Sequence, residues 1–472
     1  MSPTAQRDHA IVIGGSIAGL LAARVLADHF AHVTILERDD LPAGDEDRAG
    51  VPQGRHGHAL LVGGRQNIEG LLPGITAELM EAGAPLIDQG LDSLSLFKTG
   101  WAPRVRTGIM ALCLSRPLLE SRIRRRVAAL PNVTIQARTE VAGLLTDAAG
   151  ARVTGVRARR RGEARPAEIQ LAADLVVEAS GRASRLPDFL AELGYERPAQ
   201  TVVNAFTGYA SRYYTPPDDL ARDWQAVWLQ TRPPQGPRGG ILLPTEGGKW
   251  ILTLMGVGGE YPPTDEEGFL AFARSLPSPV IYEAIRRAEP AGPIAGFRRM
   301  ENRLYHYERL ARRPEGVIAL GDAACALNPT YAQGMSVASF SALALDEALR
   351  AWRRPGLDGF AASFQRHLAR VVAPAWMMAI SEDARWPGTE EAPNDPPTRF
   401  MHWYTDQVFG LVAQRADAYA AFLHVMHMLR PATSLFAPWL VAAVLRGLRG
   451  GRRPGAVGPA PALPAGAATA AD

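Results

Sequence analysis

The sequence predicts an α/β protein: a parallel βαβ domain, an inserted and mostly antiparallel β-sheet domain, and a C-terminal helical region. Three observations carry this expectation. An apolar run, Ile11, Val12 and Ile13, breaks at Gly14 and Gly15 and gives way to helical spacing. A second apolar run, residues 316–320 (GVIAL), breaks at Gly321 and Asp322 some three hundred residues later. Between them, from about 201 to 299, aromatic and polar residues alternate between Pro/Gly turns, as half-buried strands do.

Taken in order, the first strand (11–13) leads into a helix from Ala18, on which Leu20, Leu21, Ala23, Val25 and Leu26 keep an apolar face. Residues 32–36 (HVTIL) form a second strand that ends at Glu37, completing a βαβ unit of about thirty residues. Gly14 permits the tight turn and Gly19 permits close packing of helix on strand. The helix N-terminus offers free N–H groups and a positive dipole end to a pyrophosphate. Glu37 stands where an acid binds adenosine ribose hydroxyls. Ser16 replaces the middle glycine of the G-x-G-x-x-G frame and is small enough to keep the approach open. These features make the first domain Rossmann-like and its ligand a dinucleotide, ahead of a plain Gly-rich turn.

An acidic loop (38–50) and the segment GVPQGRHGHALL (50–61) follow, and helical spacing resumes through Leu60, Ile68, Leu71 and Leu72. Residues 91–97 and 105–114 alternate like strands. Residues 115–130 read as a helix with Ser115 as N-cap and Pro117 in its first turn. Short strands are expected at 133–137, 141–146 and 153–158, the last two joined as a hairpin, and 171–178 reads as one further strand. In the middle section, runs at 240–243 and 250–255 are strand-like. The strand 316–320 returns the chain to the first domain, and from Gln333 on it is largely helical, with Pro-rich loops at 386–397 and a Gly/Ala/Pro tail expected to be disordered.

Whole-chain properties set the broad class. With 472 residues, 47% hydrophobic and 21% charged, the chain is long enough for two or three globular domains. A net charge of +3 gives no nucleic-acid footprint. Cys113 and Cys325 lack metal-ligand spacing and support neither a zinc site nor a disulfide framework. No run reaches the length of a transmembrane span, no signal peptide is evident, and a cytoplasmic location is expected. The apolar, arginine-bearing run 435–448 has two readings, a helix capping the inserted domain and an amphipathic membrane-contacting element. Pro438, read as an interruption, favours the first.

The order GGSIAG, ERD, SRPLLE, LVVEASGRAS and GDAACALNPTYAQGMS (321–336) resembles the FAD-dependent monooxygenases of the para-hydroxybenzoate hydroxylase fold. Within that class, GVPQGRHGHALL followed by LLPG (71–74) is most similar to bacterial polyketide epoxidases acting on polyenes in polyether biosynthesis. The resemblance implies FAD as cofactor. It places Gly14, Gly15, Ser16, Ile17, Ala18 and Gly19 on the pyrophosphate, Glu37 and Arg38 at the adenosine end, and the Val141 backbone on the adenine. Arg55 and Arg116 would reach the phosphates or the flavin edge, since a guanidinium offers several donors to phosphate oxygens. Asp322 would bind a ribityl hydroxyl, with Pro329 and the Gly334 and Met335 backbone against the isoalloxazine. The FAD-binding domain would comprise residues 1–90, 110–200 and 310–350, and the substrate-binding sheet 91–109 and 201–309. A helical region (351–450) and a disordered tail (451–472) would follow.

In this class a C4a-hydroperoxide of the flavin transfers oxygen, so the protein must bind, orient and exclude water rather than supply an acid–base pair. The reaction expected is epoxidation of an apolar polyketide or polyene by O2. Phe206, Tyr209, Trp228 and Met255 are candidate pocket linings. Aromatic hydroxylation on the same fold, reduction of isoprenoid double bonds, and non-catalytic flavin binding are the alternatives. Ser180–Gly181 stands where single-component hydroxylases carry Asp-Gly, which favours a separate flavin reductase over direct NAD(P)H use. Halogenation is disfavoured, because no lysine precedes Lys98 and no W-x-W-x-I-P segment is present.

Overall fold

The computed structural model describes residues 7–162, 167–298, 300–449 and 459–462. The expected tail lies outside the described residues apart from its last named stretch.

A five-stranded parallel sheet forms the first domain, in the order Val317–Ala319, Leu175–Glu178, Arg7–Ile13, Phe30–Leu36, Val133–Gln136. Its central strands read as unbroken apolar runs because both faces are covered. The helices Ile17–Leu26 and Gly334–Ala351 pack on each other and contribute to a core with Ile11, Leu20, Ile35, Val177 and Leu345, all at most 1% exposed. Thus the chain's two glycine turns, at 14–15 and 321, sit on strands of one sheet.

The strand expected at 133–137 forms as Val133–Gln136 and makes the edge of the parallel sheet, paired with Phe30–Leu36. Two other strand expectations change. The run 171–178 is two strands: Glu168–Ala172 extends the antiparallel sheet of Thr139–Thr146 and Val153–Arg160, and Leu175–Glu178 enters the parallel sheet. Ala173 and Asp174 redirect the chain between them, and an apolar run cannot reveal such a change of partner. Likewise only Met110–Cys113 of the expected strand 105–114 is extended in a sheet.

The inserted sheet runs Glu289–Pro290, Gly208–Thr215, Trp250–Gly256, Arg238–Pro244, Ala226–Leu229, Ser93–Phe97, Gly100–Trp101, with Ala295–Phe297 also paired to Gly208–Thr215. Every pairing is antiparallel except that of Ala226–Leu229 with Ser93–Phe97. One face packs under Glu266–Arg274 and Val280–Ile285, with Trp250, Phe269 and Ile281 in the core. A separate core joins Phe97, Ala102 and Ile109 to the helices Pro396–Val412, Ala416–Met426 and Pro438–Arg449. Pro438 opens the last of these helices rather than interrupting it, a place proline's fixed φ suits. No helix among the described residues is long and apolar enough to cross a membrane.

Candidate functional site

A cleft of about 340 Å³, open to solvent, follows the C-terminal ends of the parallel strands, where Ile13, Leu36, Glu37 and Glu178 end their runs. The chain crosses itself there at van der Waals limits. Gly14 has φ +105°, and a Cβ on it would lie 2.7 Å from the Ala179 carbonyl oxygen. A Cβ on Gly19 would lie 1.8 Å from the Gly14 carbonyl oxygen. These glycines let helix, turn and neighbouring strand close together, leaving the cleft floor bare of side chains.

Ser16 is the N-cap of the helix Ile17–Leu26, but its hydroxyl does not cap it. The first-turn N–H groups therefore keep their anion-binding capacity. The hydroxyl instead donates to Glu120 Oε2 at 2.6 Å and accepts from Arg116 Nη2 at 2.9 Å. The serine in the glycine frame thus fixes Arg116 beside the helix N-terminus. Arg116 lines the cleft, and its Nε is buried without a partner. Ser115 accepts from the Leu118 N–H and starts the helix Arg116–Ala128 that supplies both Arg116 and Glu120.

Glu37 is buried and already engaged. It accepts from the Gly15 N–H at 2.7 Å and the Asp39 N–H at 2.9 Å, and pairs with Arg48 at 3.2 Å. A carboxylate has further acceptor sites, so hydroxyls of a ligand can share it. Arg48 also bridges Asp39 and Glu120, and this cation, which no sequence motif singles out, ties the loop 38–50 to the floor. Arg38 and Val141 line the same end.

At the other end Asp322, Pro329, Gly334 and Met335 line the cleft. Gly334 opens an 18-residue helix, so a second helix N-terminus faces the cleft. Asp322 stands 4.0 Å from Arg182, whose guanidinium also donates to the backbone carbonyls of Glu301 and Leu327. The turn Pro329–Tyr331 is held from behind by Asp383 of the helix Phe360–Asp383. Its buried carboxylate accepts from Tyr331 Oη at 2.6 Å, Asn302 Nδ2 at 2.6 Å and Asn328 Nδ2 at 3.1 Å. Burial pushes the Asp383 carboxyl up to about 6 against the lowering effect of these donors.

Tyr209 lines the cleft, together with Phe297 and His56, neither of which the sequence singled out. The His56 ring lies 5.8 Å from Tyr209 and 5.7 Å from Phe297, centroid to centroid. His56 Nδ1 shares a hydrogen bond of 2.8 Å with Ser211 Oγ, which lies 2.7 Å from Thr253 Oγ1, an acceptor from the Gly57 N–H. Burial pushes this imidazole down to about 4, so it is neutral at ordinary pH. The GRHGH segment signals a histidine, but only folding brings it onto the inserted sheet.

Four expectations need correction. Arg55 does not reach the cleft: its side chain is 62% exposed, and its nearest acid is Asp47 at 3.6 Å. Phe206 is exposed on a loop at φ +51°, because Ala205–Thr207 is not a strand. Trp228 shares a face of its sheet with Tyr209 but lies three strands away, where it packs edge-on against Phe97 at 5.3 Å, under the C-terminal helices. Met255 is buried behind Tyr209 with Met300 rather than in the lining. Both lysines also lie elsewhere. Lys98 pairs with Asp406, and Lys249 is outside the lining.

The fold is shared with several solved enzymes. The flavin-dependent brominase Bmp2 superposes with a TM-score of 0.65 at 16% identity, covering 94% of this chain and 98% of its own. The p-nitrophenol 4-monooxygenase PnpA from Pseudomonas putida DLL-E4 gives 0.61 at 17% identity, covering 90% and 99%. PqsL, a probable FAD-dependent monooxygenase from Pseudomonas aeruginosa, gives 0.59 at 16% identity, covering 80% and 97%. No family model matches the sequence. The chain is 38% identical over 387 residues to Protein Rv3254 of Mycobacterium tuberculosis (strain ATCC 25618 / H37Rv), 79% of either protein, and it belongs to the family of that protein.

Proposed function

We propose that the chain is an FAD-dependent monooxygenase that transfers one oxygen atom from O2 to a lipophilic small molecule, and that the reaction is epoxidation of an electron-rich alkene in a polyene or polyketide. The carrying observation is the single cleft in which a dinucleotide-type floor runs into an apolar end lined by Tyr209, Phe297 and Leu327. Bmp2, PqsL and PnpA are described as flavin- or FAD-dependent or as a monooxygenase, which supports FAD as the ligand of that floor.

The residues fit the group. The bare crossing at Gly14 and Gly19 admits a pyrophosphate, the unpartnered Arg116 Nε meets its charge, and Glu37 has lone pairs left for ribose hydroxyls. When bound, FAD supplies the activation of O2 and the delivery of its oxygen. The protein's part is positional. Asp322 would hold the ribityl chain, and Asp383 steadies from behind the Pro329 turn that would meet the ring. The N–H groups at Gly334 and Met335 would offer a positive dipole end to negative charge on the reduced cofactor. Tyr209 and Phe297 exclude water and orient the acceptor double bond. No lysine lines the cleft, which weighs against halogenation. A separate flavin reductase would supply electrons, with direct NAD(P)H use the alternative.

Hydroxylation of a phenol is a second reading, favoured by His56. A neutral imidazole backed by Ser211 and Thr253 is a polar pivot that an alkene does not need but a substrate hydroxyl would use. The test incubates the purified chain with FAD, NADH, a flavin reductase, isotopically labelled O2 and panels of polyenes and phenols. Label in an epoxide supports the first reading, and label in a catechol the second. Consumption of reduced flavin without label in any product overturns both.

A further inference from the structure

Six of the eight large hydrophobic side chains exposed among the described residues lie on three C-terminal helices: Met377, Phe400, Trp403, Trp439, Leu445 and Leu448. The helix Pro438–Arg449 shows why. Leu440, Ala443 and Val444 are pinned in the core beneath it, while Trp439, Leu445 and Leu448 occupy its outward side at 41%, 54% and 45% exposure. Much of this apolar surface is left open to solvent. Phe400 and Trp403, one helical turn apart, continue the apolar surface on Pro396–Val412. That helix packs against Pro438–Arg449, with Tyr404 stacked on Phe436 at 4.3 Å and donating to the Leu435 carbonyl.

Charge indicates what covers this face. Between Asp417 and the terminal Asp472 the sequence contains no acidic residue and five arginines, at 430, 446, 449, 452 and 453. Arg430 and Arg446 are exposed and make no ion pair among the described residues, and Arg446 donates only to the Ala442 carbonyl of its own helix. The acids of the adjoining helix are engaged: Asp395 caps it through the Thr398 N–H at 2.8 Å, and Asp406 pairs with Lys98 and Arg385. The face is therefore apolar, tryptophan-bearing and positive. A bilayer interface recognises this combination: apolar side chains enter the acyl boundary, tryptophans sit at headgroup level, and guanidinium groups meet anionic lipid. A protein groove that accepted the apolar stripe would also have to supply acids along its length.

We propose that the outward face of Pro438–Arg449, extended by Phe400 and Trp403, docks the folded protein on an anionic lipid surface. Docking is peripheral and needs no rearrangement, because the inner face keeps Leu440, Ala443 and Val444 in the core. The proposal stands whatever reaction the cleft performs.

The test is flotation of the full-length, FAD-incubated protein with vesicles of phosphatidylcholine alone, or with about one-third phosphatidylserine. Binding to the anionic vesicles is expected, weakening with added salt and at least about tenfold weaker on phosphatidylcholine alone. Trp439→Ser with Leu445→Ser, and separately Arg446→Glu, should each lower binding about tenfold or more while flavin content and circular dichroism stay unchanged, since all three side chains are exposed. Trp403→Ser checks the neighbouring helix by the same readout. The proposal is overturned if the chain stays in the soluble fraction with both vesicles, or if it floats equally well with these substitutions. It is equally overturned if they dissolve a dimer, seen by analytical ultracentrifugation, while flotation is absent, because a second copy then covers the face.

Discussion

Asp383 offers a quantitative test of how the C-terminal helices support the cleft. Its carboxyl is 2% exposed, surrounded by Asn302, Asn328 and Tyr331, with Glu382 as the nearby like charge. Burial raises it to about 6 when folded, whereas an unfolded aspartate titrates near 3.9. The folded protein therefore holds the proton more tightly, so this group's contribution is fully present below pH ~3.9 and lost as pH rises to about 6. At about 1.4 kcal/mol per pH unit the loss is about 3 kcal/mol in all. His56 and His427, both pushed down to about 4 by burial, act with the opposite sign in the same window and lose stability as pH falls. The total profile therefore hides Asp383, and a difference between two proteins isolates it. Asp383→Asn removes the titration but sets an amide N–H₂ against three donors, a cost that does not vary with pH. Urea unfolding of both proteins at pH 4, 5, 6 and 7 gives the difference in stability. The wild type should lose about 2 kcal/mol relative to Asp383→Asn from pH 4 to 7, since the unfolded carboxyl is already half ionised at pH 4, with most of the loss below about pH 6. A difference constant within about 0.5 kcal/mol would refute both the raised carboxyl and its place in the turn's support.

Three further outcomes follow from the cleft. Gly19→Ala puts a methyl 1.8 Å from a backbone carbonyl oxygen that has no flexible side chain to move; it should destabilise by about 3 kcal/mol or more and yield protein without FAD, read from thermal melts and flavin absorbance. Arg116→Ala should weaken FAD binding about tenfold to a hundredfold in a flavin-fluorescence titration, whereas Arg55→Ala should leave it within about twofold, because only Arg116 lines the cleft. His56→Gln should lower kcat/KM for a phenol about a hundredfold but for an alkene by about threefold or less, and equal losses on both would show that the imidazole only packs.

The parallel domain was legible because each of its signals is local. A strand, a glycine turn and a helix N-terminus lie within a few residues of one another, so the periodicity of residues 11–36 finds them without knowledge of the fold. The apolar end of the cleft was not legible for the opposite reason. His56 comes from a loop of the first domain, Tyr209 and Phe297 from paired strands 88 residues apart (297 − 209), and Asp383 from a later helix. Alternation along Gly208–Thr215 announces that half its side chains are buried, but not which side of the sheet faces the cleft. Nor does it tell position along the sheet: Trp228 shares Tyr209's face and lies three strands away, under the C-terminal helices instead of the cleft.

Ser16 shows how a departure from a pattern can be understood once its neighbours are known. In the sequence it counts against the glycine frame, tolerated for its size. In the fold its hydroxyl sits between Glu120 and Arg116, one as acceptor and the other as donor. A glycine there would leave the Arg116 guanidinium without that anchor and free to close on Glu120, 3.8 Å away, drawing its charge off the cleft. Ser16→Gly should therefore lower FAD affinity although it restores the consensus glycine, by about three- to tenfold for one hydrogen bond to a charged group. Ser16→Gly in the Arg116→Ala background should then have no further effect beyond about twofold, because the two residues act through one contact. Additive losses in that double-mutant cycle would mean that the serine hydroxyl serves the ligand directly, and the account of Arg116 as its dependent would fail.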